Sequence, residues 1–259
     1  MAKKWAKFPY ADKSYLHDAA GLKKHWPRLH RGDAEPLPKD AAAIDAWRHF
    51  HAGEFAAAVE SGRAAGAAGT NAAVKAQAIY ATYLEPADNT KLALFEEAAA
   101  WADERRSAAP KDANAHYLYA YALGRYSQRI SVAKALAQGY GGKIKEALTT
   151  ALKLEPKHAD AHIAFGAYES EVINKVGGLV AGLTYGAKKD SAIAHYEKAL
   201  ELNPDSAIAR IEYGNGLLLL FGKGRIGDAE KLYAAAAKCK PMDAMERLDV
   251  DHARAELED

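Results

Sequence analysis

Pro110-Lys-Asp-Ala-Asn-Ala-His116, Pro156-Lys-His-Ala-Asp-Ala-His162 and Pro204-Asp-Ser-Ala-Ile-Ala-Arg210 are three renderings of one phrase. Four residues beyond the end of each copy stands a small residue (Ala120, Gly166, Gly214), and Pro241 closes the series. Counting back five, eight and twelve residues from Pro204 gives Ala199, Tyr196 and Ala192. The same offsets from Pro241 give Ala236, Tyr233 and Ala229, and from Pro156 they give Ala151, Leu148 and Ile144. On a helix these offsets share one face, the large residue set between two smaller ones. Small residues admit the neighbouring helix, and the Tyr or Leu fills the gap. Proline cannot donate within a continuing helix, so it ends one helix and begins the next hairpin. A phase maintained in this way means one helical hairpin copied along a stack.

The sets Gly166, Ala192, Tyr196, Ala199, Pro204 and Gly214, Ala229, Tyr233, Ala236, Pro241 resemble the tetratricopeptide repeat (TPR). The tryptophan that family carries early in each first helix is replaced here by His116, His162 and Arg210. The resemblance is specific from about 110 to 241 and weaker before it, where Gly53-Glu-Phe-Ala-Ala-Ala58 resembles the turn and second-helix start of another repeat. It implies an all-α, TPR-like solenoid (an α-α superhelix) with inter-helix insertions. Helices are expected near 39–52 and 54–66, and at 71–84 and 90–107 on either side of Pro86-Ala-Asp-Asn89. Residues 1–38 read as a basic, aromatic arm, 39–241 as about five hairpins, and 242–259 as an acidic capping helix with a polar outer face.

The proline spacings are 46, 48 and 37 residues, against about 34 in the plain repeat. The extra 12, 14 and 3 residues fall between the two helices of each hairpin. Insertions at one point of successive repeats emerge from one edge. Lengthened repeats of this kind are similar to those of the regulator of microtubule dynamics proteins and of the periplasmic T components associated with TRAP transporters. The former commonly carry an N-terminal membrane segment and the latter a signal and lipoprotein cysteine, neither of which is read here. The shared feature is architecture, which does not fix function.

Apolar residues make up 49% of the 259 and charged residues 27%, an ordinary balance for a soluble globular protein. The net charge of +1 gives no bulk affinity for polyanions. Charge is nevertheless uneven. Residues 1–31 hold eight Lys/Arg against Asp12 and Asp18, and the tail after Pro241 holds seven acids against Arg247 and Arg254. The single cysteine, Cys239, forms no intramolecular disulfide, which argues against an oxidising compartment. The apolar run at Leu217-Leu-Leu-Leu-Phe221 falls well short of the roughly 18 residues of a spanning helix. A cytoplasmic protein without a transmembrane segment is expected.

The inserts carry the strongest functional signal. Segment 124–142 contains Arg125, Arg129 and Lys134, segment 174–189 contains Lys175, Lys188 and Lys189, and segment 222–227 contains Lys223 and Arg225; none contains an acid. Ile130, Val132, Leu136, Val176, Leu179, Val180 and Leu183 accompany them. An apolar floor with a cationic rim suits an acidic peptide, a terminal carboxylate or a lipid-like anion. The plainer reading lengthens the first helices and leaves their charges in water. The expected function is a non-enzymatic interaction scaffold for an acidic protein or peptide. Its contacts would be His116, Arg125, Arg129, His162, Lys175, Lys188, Lys189 and Arg210, the histidines and Arg210 facing the groove. The alternative is a carrier of a small anionic or lipid-like ligand.

Other motifs lead nowhere. Gly139-Tyr-Gly-Gly-Lys143 lacks phosphate-loop spacing and has Ile144 where a hydroxyl is needed, so it reads as a turn. His158 and His162 stand at a metal-compatible spacing, but His162 fills a repeat slot and no further ligand pattern accompanies the pair. No metal, cofactor or catalytic residue is expected. There is no Gly-x-Ser-x-Gly elbow, and Cys239 ends a packing helix. Trp5, Phe8, Tyr10, Tyr15 and Trp26 among the arm's lysines are compatible with nucleic-acid stacking. Docking of these rings onto the first repeat is the expectation instead. The basic arm of one copy could also meet the acidic tail of another, giving a homo-oligomer.

Overall fold

The computed structural model describes residues 5–10 and 12–258; Lys3 and Lys4 of the arm and Asp259 of the tail lie outside them. Helix α1 (Ala19–Leu29) precedes a first hairpin of α2 (Ala41–Ala52) and α3 (Phe55–Ala64), then a second of α4 (Thr70–Tyr83) and α5 (Asp88–Ala108). In the third, α6 (Ala113–Ser127) is separated from its partner by a short insert helix, α7 (Val132–Ala137), before α8 (Tyr140–Leu154). In the fourth, α9 (Ala159–Val176) leads through one turn, α10 (Gly178–Val180), and a π-helical segment, Ala181–Tyr185, to α11 (Lys189–Leu202). The fifth joins α12 (Ala207–Phe221) through a 3₁₀ turn at Gly222–Arg225 to α13 (Ile226–Ala236), and α14 (Ala244–Ala255) closes the chain. Among the described residues there is no strand. The extra residues lie between the two helices of each lengthened hairpin, as their spacing predicts.

The repeated phrase is a helix-start device. Two residues beyond each proline stands the N-cap: Asp112 Oδ1 accepts from Ala115 N (3.1 Å), His158 Nδ1 from Ala161 N (3.0 Å), and Ser206 Oγ from Ala209 N (3.1 Å). Each cap satisfies an orphan donor of the first turn. Six residues beyond each proline a side chain reaches back to the proline's own carbonyl: His116 Nε2 to Pro110 (3.1 Å), His162 Nε2 to Pro156 (3.2 Å), and Arg210 Nη2 to Pro204 (2.7 Å). Carbonyls only accept, so both imidazoles carry their proton on Nε2.

Between repeats, Tyr196 is the wedge its spacing predicts. It is 1% exposed, and a Cβ on Gly166 would come within 2.9 Å of its ring, one on Gly216 within 2.6 Å. Tyr233 sits in the same way against Gly214 and donates to Asn215 Oδ1 (2.6 Å). Burying such rings is worth roughly 1.5–3 kcal/mol each from removed apolar surface.

The two ends of the solenoid meet. The arm's aromatics dock onto the early hairpins: Trp5 stacks on Tyr80 (3.9 Å between centroids), and Phe8 covers Gly53, whose φ of 81° and lack of a Cβ allow that approach. Tyr15, Leu22, Trp26 and Leu29 share one core with α2, α4 and Leu248 of α14. Arg28 forms a bidentate pair with Glu246 (2.6 and 3.2 Å), Arg31 reaches Asp205 (2.9 Å), and His51 bonds Asp243 (2.7 Å). The arm-to-tail attraction expected between copies is therefore made within one chain, because the superhelix brings its ends together. Helix α14 caps α12 and α13 and also packs back on α2.

Candidate functional site

The inner faces of the first helices define the groove. On α6 that face is Tyr117, Tyr121, Gly124 and, at its C-cap, Gln128; on α9 it is Asp160, Ala164, Ala167 and Glu171. Both follow the three- and four-residue spacing of one helix side. Lys75 and Ile79 of α4, Ile208 and Glu212 of α12, and Met245 and Asp249 of α14 complete it.

The groove divides into a filled part and an open part. Residues 30–35 of the chain's own arm occupy the first. Asp33, 2% exposed, receives the Lys75 ammonium (2.5 Å) and pairs with His30 Nδ1 (2.9 Å). Asn114 donates to the Asp33 carbonyl (2.9 Å), Asn71 donates to the Glu35 carboxylate (3.2 Å), and Asp160 N–H donates to the Gly32 carbonyl (2.9 Å). Burial alone would raise the Asp33 carboxyl, but the charge on Lys75 and the His30 contact hold it well below the usual range. Burial pushes Glu35 well above its usual value, helped by Asp33 and Asp112 nearby. His30 and His158 are each pushed down to about 4, burial again leading. A neutral His158 is what the cap requires: Nδ1 accepts from the helix while Nε2–H donates to Asn114 Oδ1 (3.0 Å).

The open part is an apolar cleft with a cavity volume of about 170 Å³, comparable to a roughly 150 Å³ apolar cavity that holds benzene. Its floor includes Ile79, Leu118, Ile144, Leu148, Ile163 and Tyr168, and the inserts supply the upper wall with Val132, Leu136, Val176 and Tyr185. Arg125 and Lys175 reach it, but both are already paired: Arg125 Nη2 with Glu212 (2.6 Å) and Lys175 with Glu171 (3.2 Å). Tyr168 contributes a buried hydroxyl with no partner among the described residues. Burial raises its pKa, so it remains a donor at ordinary pH. At the far wall, burial and the neighbouring acids push Asp249 up to about 8, while Tyr83 O–H donates to it (2.5 Å).

Asp249 gives a pH dependence of definite sign. The folded chain keeps this proton where an unfolded carboxyl, with a pKa near 3.9, has lost it, so its contribution to stability falls as pH rises from about 4 to about 8. Asp249→Asn removes that dependence. The variant is expected to gain on the parent by on the order of 4 kcal/mol between pH 5 and 8.5, read from urea denaturation at both pH values. Parallel pH profiles for the two chains would contradict the assignment.

Of the eight residues expected to make contacts, the structure brings Arg125 and Lys175 to the cleft. The other six are elsewhere. His116, His162 and Arg210 do not face the groove as expected: they stand on the adjacent helix flank and close their own prolines' turns. Arg129 lies over Phe95 (5.9 Å) and 3.8 Å from Asp88. Lys188 is the N-cap position of α11, and Lys189 Nζ donates to the Leu220 carbonyl (2.5 Å). His158 and His162 are committed to Asn114 and to Pro156 and His195 respectively, with no shared ligand. Lys75, Tyr168, Asp249 and the arm segment 30–35 were missed. Asp33 and Glu35, two acids just after a basic stretch, were the available signal for that segment.

The sequence profile of the regulator of microtubule dynamics protein 1-3 family matches residues 72–247, more than half the chain. The chain belongs to that family. As a member of the regulator of microtubule dynamics family it matches over the lengthened hairpins, both long inserts and the first turn of α14. Among solved structures it is similar to the crystal structure of a thermophilic TPR protein from Thermus thermophilus. The identity is 18% and the TM-score 0.56, covering 83% of this chain and 97% of that one; this likeness shows the TPR-like fold. Comparison with curated proteins gives no match.

Proposed function

We propose that this chain is a non-enzymatic docking scaffold whose site is the apolar cleft between α6, α9 and the inserts, and that it receives an apolar segment of a protein partner. The observation that carries this reading is the cleft itself. It is the open part of the groove, its floor is aliphatic and aromatic, and the rest of the groove is taken by residues 30–35. A concave apolar surface with few convergent polar groups is the usual form of a recognition site, and helical-repeat grooves take up apolar anchors of helical or extended segments. An acidic flank on the partner would lie toward the exposed lysines of the inserts, since Arg125 and Lys175 are already matched by Glu212 and Glu171. The unpartnered Tyr168 hydroxyl provides one buried donor.

A second reading, a carrier of a lipid-like ligand, is favoured by the way α7 and the 178–185 segment wall the cleft from above. Ala167 lines the cleft and is half-buried, so Ala167→Trp should obstruct it while leaving the fold intact. We expect at least tenfold less recovery of the natural partner with this variant, a loss of about 1.4 kcal/mol or more. Native mass spectrometry separates the readings: a retained small ligand, lost in Ala167→Trp, identifies the carrier. Full partner recovery and an unchanged ligand mass in the variant would remove the cleft from both.

A further inference from the structure

The inserts carry an exposed apolar group of which the cleft uses only Val132 and Leu136. Of the ten exposed large apolar side chains among the described residues, six stand on inserts: Val132, Leu136, Leu179, Val180, Leu183 and Ile226. Leu179 is 78% exposed and Leu183 81%. They are four residues apart and face the same way, away from Ala181, which is fully buried. Scattered apolar residues are normal on a surface, but a contiguous group marks an interaction site.

The group is contiguous because the inserts touch. Gly141 lies so close to Tyr185 that a Cβ would come within 2.9 Å of the ring, and Lys145 Nζ donates to the Tyr185 carbonyl (2.6 Å). Lys189 reaches the end of α12, where the third insert begins, bonding the Leu220 carbonyl and lying 4.7 Å from the Phe221 ring centroid. The tips therefore form one rim.

Within the inserts themselves the charge has one sign. Lys134, Lys188 and Lys223 are exposed, and among the described residues none of their ammonium groups is in an ion pair; Lys134 Nζ bonds the Tyr126 hydroxyl, and the Lys188 backbone N–H donates to Glu169 (3.4 Å). No acid occurs within the three inserts. The arrangement combines protruding leucines with exposed lysines whose ammonium groups form no ion pair. A protein surface would supply shape and hydrogen bonds to match. A bilayer interface needs only apolar insertion beside attraction to anionic headgroups.

We propose that the insert rim docks on an anionic lipid surface, with Leu179 and Leu183 entering the interface and Lys134, Lys188 and Lys223 meeting headgroup phosphates. This goes beyond the cleft reading and does not depend on it, because the tips point outward. Docking would place the mouth of the cleft beside the membrane.

The test is co-sedimentation of the full chain with two kinds of vesicle: phosphatidylcholine alone, and the same with about a third phosphatidylglycerol. Binding to the anionic vesicles is expected to exceed binding to the neutral ones by about tenfold and to weaken as salt shortens the Debye length below about 8 Å. Leu179→Asp with Leu183→Asp should abolish it without shifting the melting temperature, since both side chains are exposed. Lys188→Glu with Lys223→Glu should cut it several-fold, and Ala167→Trp should leave it intact even where cleft binding fails. The proposal is overturned by an absence of preference for anionic vesicles, or by full binding of the double-aspartate variant. It is equally overturned if the parent binds neither vesicle and sedimentation equilibrium shows self-association that the double-aspartate variant lacks, which would assign the rim to a second copy.

Discussion

Lys75→Met is expected to destabilise the fold by about 3–5 kcal/mol, the range for removing one partner of a buried ion pair. Methionine keeps most of the volume but removes the ammonium that serves Asp33 at 2.5 Å and approaches Asp160 at 3.7 Å. Asp33 is held well below its usual range chiefly because Lys75 outweighs the cost of burial. Without it, the Asp33 carboxylate is left buried beside Asp160, with only His30 and the Glu35 N–H still donating to it. The loss should be largest at neutral pH and shrink in acid, where protonation removes the stranded charge. Asp33→Asn introduced alongside should recover part of the loss, because the pair acts as a unit. Urea denaturation of the parent, both single variants and the double variant checks the whole cycle. A loss below about 1 kcal/mol for Lys75→Met would mean that the buried arm segment is not held by charge.

Tyr196→Ala should cost about 3–5 kcal/mol, the scale for removing a fully buried aromatic. The expectation rests on geometry: the ring lies between Gly166 of one repeat and Gly216 of the next, and neither can fill the space it leaves. It also stacks on Tyr213 at 5.2 Å. The conservative change Tyr196→Phe should cost far less, because the hydroxyl contact with Ser170 is long, at 3.4 Å. Chemical denaturation of both variants distinguishes a packing role from a hydrogen-bonding one. Equal losses would favour the hydroxyl.

The same tyrosine marks what can be read in a sequence of this kind. Its place between Ala192 and Ala199, ahead of Pro204, is a local pattern, and local patterns set hairpin phase, helix starts and the site of each insertion. The second hairpin also falls within two residues of its expected bounds, although the resemblance to the repeat is weaker there. What escaped was rotation about the helix axis. His116, His162 and Arg210 carry groups typical of a binding surface, yet one residue corresponds to about 100° on a helix. The groove face belongs instead to Tyr117 and Ile163, each one residue further on, and to Ile208. The pairing of Arg125 with Glu212, 87 residues away, was equally invisible, and it leaves the cleft less cationic than the composition of the inserts implied. The arm's occupation of the groove depends on the superhelix returning upon itself, which no spacing records.

That return has a consequence for how the chain comes apart. Arrays of stacked repeats ordinarily behave as ladders, losing rungs from a loose end and tolerating the gain or loss of a unit, because each rung touches only its neighbours. Here Arg28, His51 and Tyr83 grip Glu246, Asp243 and Asp249, so the ladder is bent into a hoop with no loose end. Such a molecule should melt as a single unit, and its number of hairpins is fixed by the need for the two extremities to find each other.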